Sequence, residues 1–463
     1  MKIKNNKNPS WSMLYGEGNI FRLLFLCFGV WLYAADSTLI ATLIPIVVRD
    51  IGGIHLLSWA YTLFQLGSVV TGAIAGLIVI RVGIAKSEII VGILYLLGCA
   101  ISAFANDMPT FVLGRLLQGM GGGGLVSLAF IGGASMFPKK LLVRVIAIIS
   151  GFWGISSLCG PLIGGFFANI GNWRGAFWAF CVQGIIFVVM AAPLLNRFAQ
   201  VEKKITSTIP LARLCILGLS VLLICQAGTF SNIVISITIC IVGIMILVFF
   251  IKQDSLSRNS IFPRGILNPF SYAGSGLLMI SSFFMATISF TVYGPLLMHI
   301  LFGVSPLSAG YIIALQSIGW TVLSILSSGI LEKTEKIFIR LGALFISISS
   351  VGLVFTMPMG PIWLISFFST IMGMGFGMSW SFVSKRIITS LPENERVQAS
   401  GSIPTFMRLS MALGSAFSGI IANFSGFSED SSIFVARNVA FWCLFSFLPL
   451  IILGIIFAWR ISK

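Results

Sequence analysis

Long apolar runs separated by short polar breaks fill the sequence from about residue 21 to its end. A membrane-spanning helix needs about 20 apolar residues in succession. On this scale the pattern predicts fourteen helices, at 21–47, 56–80, 88–106, 109–136, 145–169, 174–195, 210–229, 232–252, 271–298, 305–330, 337–357, 361–385, 397–422 and 435–459. No polar connector is long enough for a soluble domain, so the sequence predicts an all-α polytopic membrane protein.

The composition agrees with this pattern and decides what the net charge means. The chain is 57% hydrophobic and only 9% charged, whereas an ordinary soluble domain carries about 25% charged residues. A net charge of +16 would indicate a nucleic-acid partner in a soluble protein. Here the basic residues lie in short loops between apolar runs, so we expect a lipid bilayer around the chain and no nucleic-acid partner. The eight cysteines lie inside apolar runs without metal-ligand spacing, and no nucleophile–base pair is evident, so neither a metal site nor an enzyme is predicted.

Lysine and arginine set the predicted orientation, because cytoplasmic loops carry an excess of both. Nearly all the basic residues of the loops fall on one side, and the other side holds Arg49, Arg174 and Arg437. Both termini are therefore predicted to be cytoplasmic, which requires an even number of spans. The basic N-terminus enters the first apolar run without a small-residue cleavage site, so we expect the first helix to be retained.

An internal repeat relates the two ends of the chain at a constant offset of 254 residues. Gly119-Met120-Gly121 matches Gly373-Met374-Gly375, and the connecting Pro138 matches Pro392. The fifth and thirteenth predicted helices share further positions in the same register, namely Gly160, Gly165, Ala168 and Asn169 with Gly414, Gly419, Ala422 and Asn423. We therefore predict two parallel six-helix bundles, residues 1–196 and 265–463, with two inserted helices in 197–264. Parallel repeats of this kind are a transporter architecture with the substrate site between them.

Two charged residues lie deep inside predicted spans, Asp36 in the first helix and Arg115 in the fourth. An ionised group at the bilayer centre costs about 2.5–3.5 kcal/mol and usually faces a partner or a water-filled cavity. At 1.5 Å per residue the two reach nearly the same depth. Asp36 is a candidate proton carrier whose pKa Arg115 would tune, although either could instead be a structural brace. The repeat places Phe290 and Ser369 at the equivalent positions, so ion chemistry is predicted in the first half.

The remaining candidates are less specific. Arg408 is predicted near the cytoplasmic end of its helix, where its side chain can snorkel. Gly160-Pro161 followed by Gly164-Gly165 is expected to break the fifth helix, as a rigid packing site or as a hinge. Polar and aromatic residues inside spans are candidates for lining a substrate cavity, namely Trp31, Tyr33, Tyr61, Gln65, Gln118, Tyr293, Gln316 and Trp380.

Several of these motifs resemble those of one transporter family. They are Asp36-Ser37-Thr38 ending at Pro45, Arg115 through Gly121, Gly160-Pro161 with Gly164-Gly165, and Trp173-Arg174 with Phe177. Together they resemble the fourteen-helix drug:proton antiporter branch of the major facilitator superfamily, over nearly the whole chain. The resemblance implies the major facilitator fold, with proton coupling at Asp36 and Arg115, no cofactor beyond the proton gradient, and a bacterial-type inner membrane.

The chain departs from that branch in the loop between the second and third helices. Gly76, Arg81 and Gly83 match the family motif, but Ile80 stands at its acidic position and Ile84-Ala85 replace its basic pair. We expect the cytoplasmic gate to differ accordingly, with Arg81 and Gly83 in a structural or gating role. The leading expectation is alternating-access export of small amphipathic or cationic compounds against entering protons. A dedicated exporter of one metabolite, siderophore or lipid, and a non-transporting scaffold or receptor, are the alternatives.

Overall fold

The computed structural model describes residues 19–53, 56–195, 210–230, 232–257, 260–427 and 432–463. The predicted polar N-terminus, 1–18, and the connector 196–209 lie outside the described residues. The helices are α1 (Asn19–Ile51), α2 (Leu57–Val82), α3 (Ile84–Phe104), α4 (Met108–Ser135), α5 (Leu142–Asn169), α6 (Trp173–Leu195), α7 (Leu211–Ala227), α8 (Ile233–Ser255), α9 (Tyr272–Phe302), α10 (Pro306–Ser327), α11 (Glu335–Met359), α12 (Ile362–Thr389), α13 (Arg396–Phe424), α14 (Ile433–Phe445) and α15 (Leu448–Ile461).

A helix lies at each of the fourteen predicted positions, with two differences in detail. Within the described ranges, thirteen helical segments are long and apolar enough to cross a membrane, and α7 is a shorter apolar helix of 17 residues. At 1.5 Å per residue α7 is about 25 Å long, near the lower limit for a span. The last predicted helix, 435–459, is not continuous, because a turn at residues 446–447 separates α14 from α15. Pro449 lacks the backbone N–H that would bond to the turn before it, which accounts for the break.

The structural elements recur at the offset that relates the two halves of the sequence. The bounds of α4, Met108–Ser135, reappear 254 residues later as those of α12, Ile362–Thr389. A short 3₁₀ turn follows each of them, at Lys139–Leu141 and at Glu393–Glu395. The structure thus contains the same helix–turn–helix unit twice.

Two helical groups, α1–α6 and α9–α15, form the two halves of the molecule. They meet chiefly through α2 against α13 and α5 against α10, which are equivalent pairs under the repeat. We call the end that carries Lys139 and Glu393 the basic end; there these two side chains form an ion pair of 3.1 Å between the halves. The inserted helices α7 and α8 pack on each other, and α7 also contacts α2 and α13.

Helix α5 runs without interruption through the glycine–proline motif, so the predicted break was wrong. Pro161 lies inside the helix. Gly160 and Gly164 allow α5 to pack closely against α1. A methyl group on Gly160 would lie 2.0 Å from Thr38 Oγ1, and one on Gly164 would lie 2.1 Å from Thr42 Oγ1. Small residues four apart let two membrane helices approach closely. Gly165, by contrast, has nothing within 4 Å of that position.

This contrast gives a matched pair of substitutions on one helix. Gly160→Ala should destabilise the protein by about 1–3 kcal/mol, because the added methyl group overpacks the contact with α1. Gly165→Ala should be neutral or slightly stabilising, since alanine favours a helix by about 1 kcal/mol over glycine. Thermal unfolding of the purified proteins in detergent, followed by tryptophan fluorescence, measures the difference. Equal melting temperatures for the two variants would contradict the proposed close packing.

Candidate functional site

Asp36 and Arg115 form a buried ion pair between α1 and α4. Arg115 Nη1 donates a hydrogen bond of 2.7 Å to Asp36 Oδ1. The side chain of Arg115 is 1% exposed and that of Asp36 is 0% exposed. The nearly equal depths derived from the sequence therefore correspond to direct contact. The pair lies within the first half of the molecule, and both residues face neighbouring helices instead of lipid.

Gln118, one helical turn after Arg115, completes the hydrogen bonding of this pair. Its Nε2 donates to Asp36 Oδ2 at 3.2 Å, and its Oε1 accepts from Arg115 Nη1 at 3.0 Å. Ser102 Oγ also donates to Oε1 at 3.0 Å, and the Cys99 sulfur lies 3.2 Å from Nε2. Both carboxylate oxygens of Asp36 thus accept a hydrogen bond, one from Arg115 and one from Gln118.

Aromatic rings connect this pair to a second buried arginine in the other half. The guanidinium carbon of Arg115 lies 4.2 Å from the centre of the Phe64 ring, and Phe64 stacks on Tyr33 at 5.3 Å. The guanidinium carbon of Arg408 lies 4.6 Å from the centre of the Tyr33 ring. A cation over an aromatic face is stabilised by about 2 kcal/mol when both are desolvated. The stack Arg115–Phe64–Tyr33–Arg408 therefore crosses from the first half to the second.

Arg408 does not snorkel, so the predicted surface position was wrong. Its side chain is only 2% exposed and lies at the interface of the halves, over Tyr33. Twelve residues into α13, it is too far from the basic end for its guanidinium to reach water there. Its three guanidinium nitrogens have no hydrogen-bond partner among the described residues.

A central cavity lies between the halves. Its walls are aromatic and aliphatic and carry no charge on any described residue: Val126, Phe130, Ile149, Ser150, Trp153, Gly154, Phe284, Ser317, Trp320, Trp380, Pro404, Met407 and Met411. Such a surface can bind apolar ligands of different shapes, because methionine and aromatic side chains adapt to many shapes.

Most of this lining was not predicted from the sequence, although the repeat contains the signal. Val126 and Trp380 occupy equivalent positions 254 residues apart, and both line the cavity. So do two further equivalent pairs, Ser150 with Pro404 and Trp153 with Met407. A residue known to line the cavity in one half therefore predicts a cavity residue at the equivalent position of the other half.

Among the predicted cavity residues, Trp380 lines the central cavity and several others belong to the network around the ion pair. Gln118 bonds to Asp36, as described above. The Tyr33 hydroxyl donates to Gln65 Oε1 at 3.2 Å. Trp31 Nε1 donates to Gln183 Oε1 at 2.8 Å, which joins α1 to α6.

The other predicted residues neither line the central cavity nor hydrogen-bond to the ion pair in the described structure. Tyr61 is 39% exposed on α2. Tyr293 lines a smaller cavity inside the second half, beside Cys443. Gln316 is half-buried on α10, and its backbone carbonyl packs against Gly373.

The turn between α2 and α3 explains how the chain accommodates its departure from the family motif. Gly83 alone joins the two helices, with a φ of 82° that favours glycine. Ile84 and Ala85 are buried where the motif carries basic residues, and Arg81 is exposed. Apolar burial thus replaces a charged surface at this turn.

The Trp173-Arg174 motif links α6 to α1 at the end of the first half that lies opposite the basic end. Asp50, beyond the apolar part of α1, accepts a hydrogen bond of 3.0 Å from Trp173 Nε1 and pairs with Arg174 Nη1 at 2.5 Å. These two donors, Arg174 foremost, hold the pKa of Asp50 below its usual range. The carboxylate therefore stays ionised to a lower pH than an unpaired aspartate does, and so does its pairing with Arg174.

Comparisons with known proteins agree with this architecture. A probable multidrug-efflux transporter of Mycobacterium tuberculosis is 29% identical over 419 residues, covering 86% of this chain and 87% of that protein. Multidrug resistance protein 3 of Bacillus subtilis is 22% identical and covers 90% of this chain and 84% of its own length. The solved structure of the proton:xylose symporter XylE superposes with a TM-score of 0.68 at 16% identity, covering 96% of each chain, which shows the shared fold.

The family assignment rests on the sequence profile together with the fold. The profile of the Major Facilitator Superfamily matches residues 26–415 and 277–461, which together span most of the chain. The duplicated helical unit, the cavity between the halves and the multi-pass apolar helices are all present in the structure. This chain belongs to the Major Facilitator Superfamily.

Proposed function

We propose that this protein is a proton-coupled secondary transporter that exports small amphipathic compounds, as a multidrug-type efflux pump does. The observation that carries the proposal is the aromatic cavity between the halves, next to a separate, fully buried Asp36–Arg115 pair. The relatives named as multidrug transporters support the direction and the breadth of transport. The cavity would hold the compound and Asp36 would exchange the proton, so binding and coupling occupy different places.

The structure is consistent with one end state of an alternating-access cycle. The halves are joined at the basic end by Lys139–Glu393 and, further in, by Thr321 Oγ1, which donates to the Gly151 carbonyl at 3.4 Å. The excess of Lys and Arg at this end supports a cytoplasmic location for it and for both termini. We therefore assign this conformation as closed to the cytoplasm, in a bacterial-type inner membrane. Residues 1–196 and 265–463 would move as the two units, with 197–264 as the insertion.

The Asp36 site must change its surroundings during this cycle. The carboxylate is 0% exposed and accepts hydrogen bonds from two side chains, Arg115 and Gln118. Protonation removes the charge that Arg115 and Gln118 stabilise, so the pair separates more readily when Asp36 is neutral. Arg115 stays charged throughout and cannot carry the proton itself. Movement of α4 relative to α1 would then give Asp36 its route to water.

The test is a flux assay with the purified protein in liposomes and an imposed pH gradient. A panel of chemically unrelated fluorescent amphiphiles should accumulate in vesicles with an acidic interior, and a protonophore should abolish the accumulation. Protein-free vesicles are the control. If the gradient moves no member of the panel, the proposal of broad efflux is refuted.

A dedicated exporter of one metabolite, siderophore or lipid is the second candidate. The altered turn with buried Ile84 and Ala85 favours it, because a changed gate is expected in a specialised member of the family. The same panel separates the two functions: a broad pump moves several unrelated compounds, whereas a specialist moves at most one chemical class.

A further inference from the structure

Arg408 is a buried charge without a counter-charge in the described structure. Its side chain is 2% exposed, and Nε, Nη1 and Nη2 all lack a hydrogen-bond partner among the described residues. A guanidinium cannot shed its proton in a protein. Buried charges are normally paired or hydrogen-bonded, because leaving them without partners is costly. An arginine that is buried without a counter-charge can therefore bind a ligand that supplies negative charge.

Two hydroxyl groups lie close to Arg408, next to Gly72 of α2. A methyl group on Gly72 would lie 3.0 Å from Ser127 Oγ, 3.0 Å from Thr405 Oγ1 and 3.3 Å from Arg408 Nη1. Ser127 Oγ is itself buried without a partner in the described part of the chain, and Thr405 Oγ1 donates to the Gly401 carbonyl at 3.0 Å. Glycine at position 72 thus lets three polar groups from α4 and α13 converge closely beside the α2 backbone, and we call this place the polar corner.

The polar corner adjoins the central cavity. Met407 and Val126, the immediate neighbours of Arg408 and Ser127, both line the cavity. The Tyr33 ring, on which Arg408 lies, contacts the cavity residue Trp153 with 5.6 Å between ring centres. A ligand with an apolar body in the cavity therefore has a polar site within reach at its flank.

We propose that Arg408, Ser127 and Thr405 bind the carboxylate of an amphipathic compound whose apolar body occupies the central cavity. The planar fork of a guanidinium matches the two oxygens of a carboxylate. The inference deepens the proposed function and rests on it for the role of the cavity. It assigns amphipathic carboxylates, including zwitterions, as a preferred substrate class, a narrower class than the amphipathic or cationic compounds predicted from the sequence.

The test uses three probes that share one apolar group: pyrenebutyrate, pyrenebutanol and pyrenebutyl-trimethylammonium. Energy transfer from Trp153, Trp320 and Trp380, which line the cavity, reports binding to the full-length protein in maltoside micelles. The wild type should bind the butyrate about ten- to a hundredfold more tightly than the alcohol, as expected for hydrogen bonds to a charged group. Arg408→Gln should remove this preference and leave the affinity for the alcohol unchanged. Equal affinity of the wild type for butyrate and alcohol, or an unchanged preference in Arg408→Gln, would overturn the proposal.

A milder pair of variants tests the same site if Arg408→Gln does not fold. Ser127 and Ser384 both carry buried hydroxyl groups without partners among the described residues, but Ser127 lies beside Arg408, whereas Ser384 lies on α12 and does not line the cavity. Ser127→Ala should weaken butyrate binding about two- to tenfold, the usual effect of one lost hydrogen bond. Ser384→Ala should leave the preference for butyrate unchanged, and equal effects of the two variants would contradict the assigned site.

Transport of the same probes separates this inference from the proposed function. If a pH gradient drives the ammonium probe and the butyrate binds no better than the alcohol, the carboxylate site is refuted and efflux stands. If the butyrate preference depends on Arg408 but no probe or dye is driven by the gradient, the site stands and proton-coupled efflux is refuted.

Discussion

Asp36→Asn is expected to reduce pH-gradient-driven accumulation to the level of protein-free vesicles, while the protein still folds and binds its substrate. The asparagine oxygen can still accept the hydrogen bond from Arg115 that Asp36 Oδ1 accepts at 2.7 Å. It cannot take up or release a proton in the working pH range, so the variant resembles a permanently neutral Asp36. Because Arg115 then lacks its counter-charge, we expect a lower melting temperature; loss of one partner from a buried pair typically costs about 3–5 kcal/mol.

The measurement compares two kinds of flux in the same liposomes. Accumulation against a gradient requires proton coupling, whereas downhill equilibration of a preloaded dye requires only the movement of the halves. Asp36→Asn should lose the first and retain the second. Asp50→Asn is the matched control, because Asp50 lies on the same helix and also pairs with an arginine, Arg174, but at the exposed end. Wild-type accumulation by Asp36→Asn would exclude Asp36 as the proton carrier.

The sequence predicted the fold of this protein well because its periodicity and its charges follow simple rules. Apolar runs of the length of a bilayer mark the helices, and a duplicated chain repeats its elements at one offset. The errors arose where a single residue decides the local geometry. Pro449 interrupts the last helix, whereas Pro161 leaves α5 intact. In α5 the lost hydrogen bond is tolerated because close packing against Thr38 and Thr42 stabilises the helix.

The site was predictable only as far as charge and depth determine it. Asp36 and Arg115 could be placed at nearly the same depth, where a buried charge usually faces a partner or a water-filled cavity, but their direct contact was not predicted. The partner Gln118 was identified as a polar residue in a span, but its side chain could not be assigned to the pair or to the cavity. For Arg408, distance from the helix end suggested water, while the packing of α13 against α2 and α4 buries the side chain. Contacts between helices that are far apart in sequence decide such positions.

Linking the two halves at the basic end is expected to stop transport completely. Lys139 and Glu393 belong to different halves and are 70% and 78% exposed, so cysteines at both positions are accessible to a reagent. The ion pair itself matters little, since exposed pairs contribute little to stability. A short bifunctional maleimide that contains a cleavable disulfide should therefore leave Lys139→Cys/Glu393→Cys folded but unable to open at this end. Reduction should restore the flux.

The matched control joins two residues of the same half through the same position. Arg396 also pairs with Glu393, at 2.9 Å, three residues away within the second half. Cross-linked Glu393→Cys/Arg396→Cys should transport at the rate of its unlinked form, because no joint between the halves is fixed. The wild type treated with the reagent accounts for reaction at the natural cysteines, of which Cys215 is exposed. Full flux through a protein cross-linked between residues 139 and 393 would mean that the halves do not separate at the basic end. Alternating access in the form proposed requires that separation, because the cavity between Trp153 and Trp380 would otherwise never open toward that end.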